Sequence, residues 1–183
     1  MMDMHWRSKI GTKWFIDTGN SFVGFAVRHY GISFVRGIFT RFVANVEFDP
    51  EDIPAAKIQV TIDATSLNTN NARRDTDLQE AEYLNTEKYP EIIFVSRSID
   101  KINDKRFLLT GDLTIKGITK EVVLNVTYGG KSNDPMGIQH SGFAAETMIY
   151  RKDFNITAHT PLPTGDVMVG EDVRITLDVE LRE

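Results

Sequence analysis

Apolar residues in this chain recur at every second position, stretch after stretch, and that spacing constrains the fold more than any other feature. Phe107, Leu109, Gly111, Leu113 and Ile115 alternate with Leu108, Thr110, Asp112 and Thr114. After a hairpin loop at Lys116-Gly117-Ile118-Thr119, Val122, Leu124, Val126 and Tyr128 answer them. Val173, Ile175, Leu177, Val179 and Leu181 repeat the pattern near the C-terminus. Successive side chains of a strand point to opposite faces, so period two gives an extended segment one apolar face; on a helix the same residues would scatter.

The N-terminal half reads the same way. Trp14 to Asp17 is a short strand and Thr18-Gly19-Asn20 a turn. Val23, Phe25, Val27 and His29 share one face of the next strand. Between Ile32 and Phe48 the apolar phase changes: Ile32, Phe34, Ile38, Phe42, Ala44, Val46 and Phe48 hold even positions, while Phe39 and Val43 hold odd ones. A bulge or sharp bend near Gly37–Phe42 accounts for the change, and such bends curl sheets into barrels. Ile58, Val60, Ile62 and Ala64 form a further face. Ile92 to Ile99 and His140 to Ile149 read as strands, Gly129 to Gly137 as a loop, and Thr157 to Glu171 as a long loop.

One stretch departs from this pattern. Asn68 to Asn71 has turn chemistry, and Ala72 to Leu84 reads as helix, with a second start suggested by the capping-box spacing of Asp77-Leu78-Gln79-Glu80. Pro90 cannot sit in a helix interior, so Tyr89-Pro90 marks the return to sheet. The sum is an all-β chain of about eight antiparallel strands with a short helical insertion covering it. A closed barrel is the economical arrangement, because closure leaves no unpaired edge. Residues 1–12 read as a loose tail, and 13–183 as a single domain.

Composition narrows the function. With 21 Lys+Arg against 26 Asp+Glu, the net charge is −5, which repels phosphate backbones and argues against nucleic acid. The absence of cysteine excludes disulfides, thiol chemistry and cysteine-bound zinc. No apolar run approaches the roughly 18 residues of a membrane-spanning helix. The start lacks the apolar core and cleavage site of a signal peptide, so a cytoplasmic location is expected, or a periplasmic or secreted one if a leader was removed. His29, His140 and His159 are scattered and lack metal-ligand spacing, which favours surface or mouth positions over a metal site. No nucleophile motif is present, and His29 with Asp75 is the sole acid–base pair that suggests an enzyme. Arg74-Asp75 reads first as a pair fixing the helical segment. Eleven phenylalanines suit a filled barrel as well as a hollow one, since an eight-stranded interior either packs solid or holds one small ligand.

The order and spacing of several short runs resemble the YceI-like family of polyisoprenoid-binding proteins with a lipocalin-like barrel. These runs are Trp14-Phe15-Ile16-Asp17; Ser21 to His29; Val35-Arg36-Gly37-Ile38-Phe39; Ile62 to Thr69; Arg74-Asp75 with Leu78; Tyr89 to Phe94; Gly111 to Lys120; and Arg151-Lys152-Asp153-Phe154. Together they span about residues 14–182. The chain departs from the family at Asn20 and Asp77, where His is usual, and at Asn155, where Gly is usual. The resemblance implies an eight-stranded lipocalin-like β-barrel around an elongated apolar tunnel. It implies a non-enzymatic carrier or store for a polyisoprenoid, an isoprenoid quinone or a fatty-acid-like amphiphile, with no required cofactor. A homodimer is implied as well. On this reading Phe25, Val27, Phe34, Ile38, Phe42, Phe94 and Leu113 are wall candidates, with Arg74, Asp75 and Leu78 on the helical cover. His29 and Leu67 complete the candidate ligand contacts. Asp77 in place of the family's histidine implies a mouth suited to a different head group. The alternative is a filled barrel that serves as a stress-related interaction module.

Overall fold

A computed structural model describes residues 12–163 and 167–183 of the chain. The strands are β1 (Thr12–Ile16), β2 (Phe22–His29), β3 (Ser33–Phe39), β4 (Phe42–Phe48), β5 (Lys57–Asp63), β6 (Leu67–Asn68), β7 (Glu91–Lys101), β8 (Arg106–Ile115), β9 (Ile118–Asn133), β10 (Gln139–Tyr150) and β11 (Val169–Arg182). Among the described residues one α-helix, α1 (Ala72–Asp77), lies between β6 and β7. The expected tail falls outside the described residues, except for Thr12, where β1 begins.

All strand pairing is antiparallel, in the order β1-β4-β5-β7-β8-β9-β10-β11, and β1 closes on β11 through Phe15↔Arg182 and Ile16↔Leu181. β2 pairs with the other end of β11, from Val169 to Asp178, and carries β3 and then β6 beside it. Thus β1 and β2 are two halves of one bent strand, as are β3 and β4. The result is a closed eight-stranded antiparallel barrel. Closure fits the alternation, since each strand hides its apolar face inside and no long edge is left to template aggregation.

The bends have local causes. At the first, the Asp17 carboxylate accepts from the backbone N–H of Gly19 at 3.0 Å and closes the turn before β2. At the second, two residues, Thr40 and Arg41, separate β3 from β4, and the Ser66 hydroxyl accepts from the Arg41 N–H at 3.1 Å. Odd residues face inward in β3 (Val35, Gly37, Phe39, opposite Val27, Phe25 and Leu67). Even residues face inward in β4, where Phe42, Val46 and Phe48 are buried. The expected phase change is real and sits at Thr40–Arg41.

Three boundaries differ from the sequence reading. The helix spans only Ala72–Asp77, not Ala72–Leu84. Asn71 caps it by accepting from the Arg74 N–H at 3.1 Å. Past Leu78 the chain folds into successive turns, with Leu84 N–H donating to Leu78 O at 3.1 Å and Asn85 in the left-handed region at φ 50°. The second helix start at Asp77 forms only one such turn, Glu80 N–H to Asp77 O. The Gly129–Gly137 stretch is mostly strand. β9 runs through Gly129 and Gly130 to Asn133, a bulge opposite Gly142/Phe143 absorbs the irregularity, and Gly130 takes φ 111°. Finally, β11 begins at Val169 within the expected long loop.

Two apolar clusters fill the two ends of the interior. One gathers Trp14, Val46, Phe48, Ile53, Phe107 and Leu181, with the Trp14 indole N–H donating to Phe48 O at 3.1 Å. The other gathers Ala64, Ile92, Ile115, Ile149 and Phe154, with Leu84 from the helical segment packed against it.

Candidate functional site: the barrel interior and its helical cover

Between these clusters lies a cavity of about 190 Å³. Its walls come from every full-length strand, through residues such as Ile16, Phe42, Ala44, Val60, Phe94, Leu109, Leu113, Ala145, Ile175 and Leu177. Among the described residues the only polar side chain on the wall is that of Thr147, whose hydroxyl already donates to Val123 O at 2.8 Å. The lining therefore offers no free hydrogen-bond donor. A cavity of this kind stays dry; an apolar cavity of about 150 Å³ holds no ordered water yet accepts a small hydrocarbon.

Glycine opposite an aromatic ring shapes the interior. A Cβ on Gly111 would come within 2.4 Å of Phe94 Cζ and 2.6 Å of the Val95 carbonyl oxygen. A Cβ on Gly37 would come within 2.3 Å of Phe25 Cζ. Each ring lies flat across its strand because the neighbouring position has no side chain, as aromatics commonly do beside strand glycines.

The structure sorts the sequence-derived candidates into three groups. Phe42, Phe94 and Leu113 line the cavity. Phe25, Val27, Leu67 and His29 share the inward face of the β2–β3–β6 sheet, beyond the cavity lining; Phe25 packs on Phe39 with centroids 5.6 Å apart, and His29 lies edge-on to Tyr30. Phe34 and Ile38 point outward, which corrects their reading as wall residues. They pair with Arg28 and Gly24 on the outer face, and Phe34 is 41% exposed under the Arg28 guanidinium. The reason is the inversion of phase at Thr40–Arg41: residues of β3 and β4 with the same parity lie on opposite faces.

On the cover, Arg74 and Asp75 converge on Thr69, which is 6% exposed. Asp75 Oδ1 accepts from the Thr69 hydroxyl at 2.5 Å and from its backbone N–H at 2.9 Å. Arg74 Nε donates to the same hydroxyl at 2.8 Å, and another guanidinium nitrogen donates to Thr69 O at 2.9 Å. Both charged side chains are thus committed to fastening the turn that carries α1. Leu78 ends the helix and is half-buried, while Asp77 is exposed beside it.

Among the described residues no hydrogen bond or ion pair joins His29 to Asp75, and no group of three His, Asp or Glu side chains is placed to hold a metal ion. His140 lies outside the barrel, with Nδ1 2.7 Å from Glu180 Oε1 and Nε2 3.6 Å from Asp134 Oδ2. The backbone N–H groups of Ile138 and Met136, with His140 beside them, hold the Asp134 carboxyl below its ordinary range. Among the described residues no helix is long and apolar enough to cross a membrane.

Several wall residues went unselected in the sequence, notably Ile16, Ala44, Ala145 and Leu177. Their signal was present, since each belongs to an alternating run, but every inward residue of a barrel carries that signal and only the cavity separates them.

Comparison with known proteins agrees with this architecture. Residues 14–181 match the YceI-like domain. Protein YceI of Escherichia coli O157:H7 is 44% identical over 137 residues, covering 75% of this chain and 71% of that protein. The crystal structure of Burkholderia cenocepacia BcnA superposes with a TM-score of 0.78 at 25% identity, over 90% of this chain and 98% of BcnA. A polyisoprenoid binding domain from Saccharophagus degradans, implicated in plant cell wall breakdown, shares the fold at a TM-score of 0.66 and 13% identity, over 92% and 97% of the two chains. With the match running from the first strand to the last, the chain belongs to the YceI-like family.

Proposed function

We propose that this protein binds the apolar chain of a long amphiphile, a polyisoprenoid or an isoprenoid quinone, inside its barrel and carries or stores it chemically unaltered. The observation that carries this reading is the wall of the internal cavity, apolar except for Thr147. Each methylene moved from water to such a wall contributes about 0.8 kcal/mol, so a hydrocarbon tail gains affinity with no polar contact inside. Membership of the YceI-like family and the fold shared with the Saccharophagus polyisoprenoid binding domain support this class of ligand. A head group would lie at an end of the barrel, because the wall has a single polar side chain among the described residues, that of Thr147, whose hydrogen is already donated to Val123 O. The commitment of Asp75 to Thr69 supports binding over catalysis, since it removes the candidate acid–base partner of His29.

The size of the cavity favours a second reading. Its 190 Å³ is below the 300–1,000 Å³ usual for pockets that enclose organic ligands. A filled barrel acting as an interaction module fits that volume without change. A lipid carrier needs the two end clusters to yield as the chain enters. Native mass spectrometry of the purified protein, with organic extraction of any adduct, separates the two. The carrier reading expects a co-purified prenyl lipid, or uptake of added prenyl alcohol or quinone at one per chain. Protein that is free of lipid and ignores both additions contradicts it.

A further inference from the structure

The β2–β3 hairpin differs in charge from the rest of the molecule. Between Asp17 and Glu47 the sequence has no acidic residue, although the chain carries 26 of them and a net charge of −5. The stretch holds three arginines, Arg28, Arg36 and Arg41. Arg41 is paired with Asp63 at 2.8 Å. Arg28 and Arg36 have no carboxylate partner among the described residues; both guanidinium groups lie over the Phe34 ring, at 4.6 and 5.5 Å, on the outer face of the hairpin.

The hairpin's tip is apolar and exposed. Ile32 is 86% exposed, Tyr30 46% and Phe34 41%. Tyr30 and Gly31 take positive φ values of 51° and 73°, so the tip is a tight turn that projects these side chains outward. Beside it on the outer face runs an open groove of about 580 Å³, floored by Gly24 and Ala26, with Arg36 and Arg174 on its walls. Arg174 has Asp172 and Asp178 on its own strand, β11, whereas Arg28 and Arg36 have no acid on their own hairpin.

We infer that this hairpin docks the protein on an anionic lipid bilayer. The chemistry is that of an interfacial anchor: an apolar tip enters the head-group region, a tyrosine ring sits at the boundary, and arginines keep their charge at the level of the lipid phosphates. The projecting shape selects a deformable surface over a partner protein, which would need a matching pit. The charge sign selects anionic lipid, which a surface of net −5 would otherwise meet with repulsion. This goes beyond the proposed cargo and does not depend on what fills the barrel.

Co-sedimentation with lipid vesicles tests it. The intact protein should pellet with vesicles containing about one-third phosphatidylglycerol in phosphatidylcholine and stay in solution with phosphatidylcholine alone, and binding should weaken as salt rises. Arg28→Gln with Arg36→Gln should lower the partition coefficient about fivefold per arginine, and Ile32→Asp should lower it while leaving the thermal midpoint unchanged, since all three side chains are exposed. No sedimentation with anionic vesicles overturns the inference. So does binding that the variants leave undiminished, equal binding to neutral vesicles, or equal competition by soluble polyglutamate, which would indicate an acidic protein partner. Uptake of prenyl alcohol from detergent micelles, measured in parallel, reports on the cargo alone, so either reading can fail separately.

Discussion

Arg151 is 4% exposed and, among the described residues, pairs with no carboxylate. Its guanidinium donates to three backbone carbonyls, of Gly170, Ile156 and Val169, at 2.9 to 3.3 Å. It therefore fastens the chain after β10 to the first residues of β11, where a buried carbonyl without a donor costs about 1–3 kcal/mol. Arg151→Met is expected to lower stability by about 2–4 kcal/mol, read as a fall in the guanidinium midpoint at unchanged slope. Charge matters at the surface too. The hydroxyl of Thr65, then the Arg41 guanidinium and the Thr65 N–H, hold the Asp63 carboxyl below its ordinary value of 3.8. Asp134 is shifted the same way by the Ile138 and Met136 N–H groups. A depressed folded value means the stabilisation is complete above the unfolded value and is lost as pH falls through the folded one. Stability should thus stay level down to about pH 5 and decline below about pH 4; Asp63→Asn should flatten part of that decline. The sequence allowed Arg74 and Asp75 to be read as a structural pair but not their shared partner, Thr69, because that contact depends on how the Asn68–Asn71 turn folds back. Asp75→Ala should speed amide hydrogen exchange across residues 68–78 while the barrel strands stay protected.

At the scale of elements, the hairpin joining β8 and β9 was legible and the bend joining β3 to β4 was only half so. Lys116 and Gly117 both take positive φ, 53° and 74°, the geometry of a two-residue type I′ turn. A Cβ on Gly117 would also come within 2.7 Å of the Tyr89 ring. Gly117→Val should therefore cost about 1–3 kcal/mol, from left-handed strain in a β-branched residue plus the contact with Tyr89. Matched thermal melts of parent and variant check this, and an unchanged midpoint would show that the turn rearranges freely. Across β3 and β4 apolar residues occupy both phases, so the pattern announces a crossover without locating it. Thr40–Arg41 is the site because Ser66 fastens the backbone there, and a hydrogen bond from 25 positions away leaves no local signal. Phe34 and Ile38 were misplaced for this reason. The helix was overestimated for a related one: the capping-box spacing of Asp77 to Glu80 suggested a second start, yet the chain past Leu78 forms a series of turns that bring Leu84 onto the barrel end.

For the whole molecule, closure follows from the alternation, because eight one-sided strands have no other way to hide their apolar faces without leaving an edge. The cavity does not follow from the sequence. It is the small difference between the volume enclosed by the strands and the volume of the side chains inside, and it opens where Ala44, Ala56 and Ala145 stand among larger neighbours. Ala145→Phe fills that space and separates folding from binding. Lipid-stripped parent and variant, each titrated with prenyl alcohols of increasing length while the unfolding midpoint is followed, provide the most direct measurement. The parent should gain about 2.7 kcal/mol at a hundredfold excess over Kd and gain more with longer chains until the interior is full, and the response should be lost in Ala145→Phe. A parent that no prenyl chain stabilises, or a variant stabilised as much as the parent, contradicts binding inside the barrel.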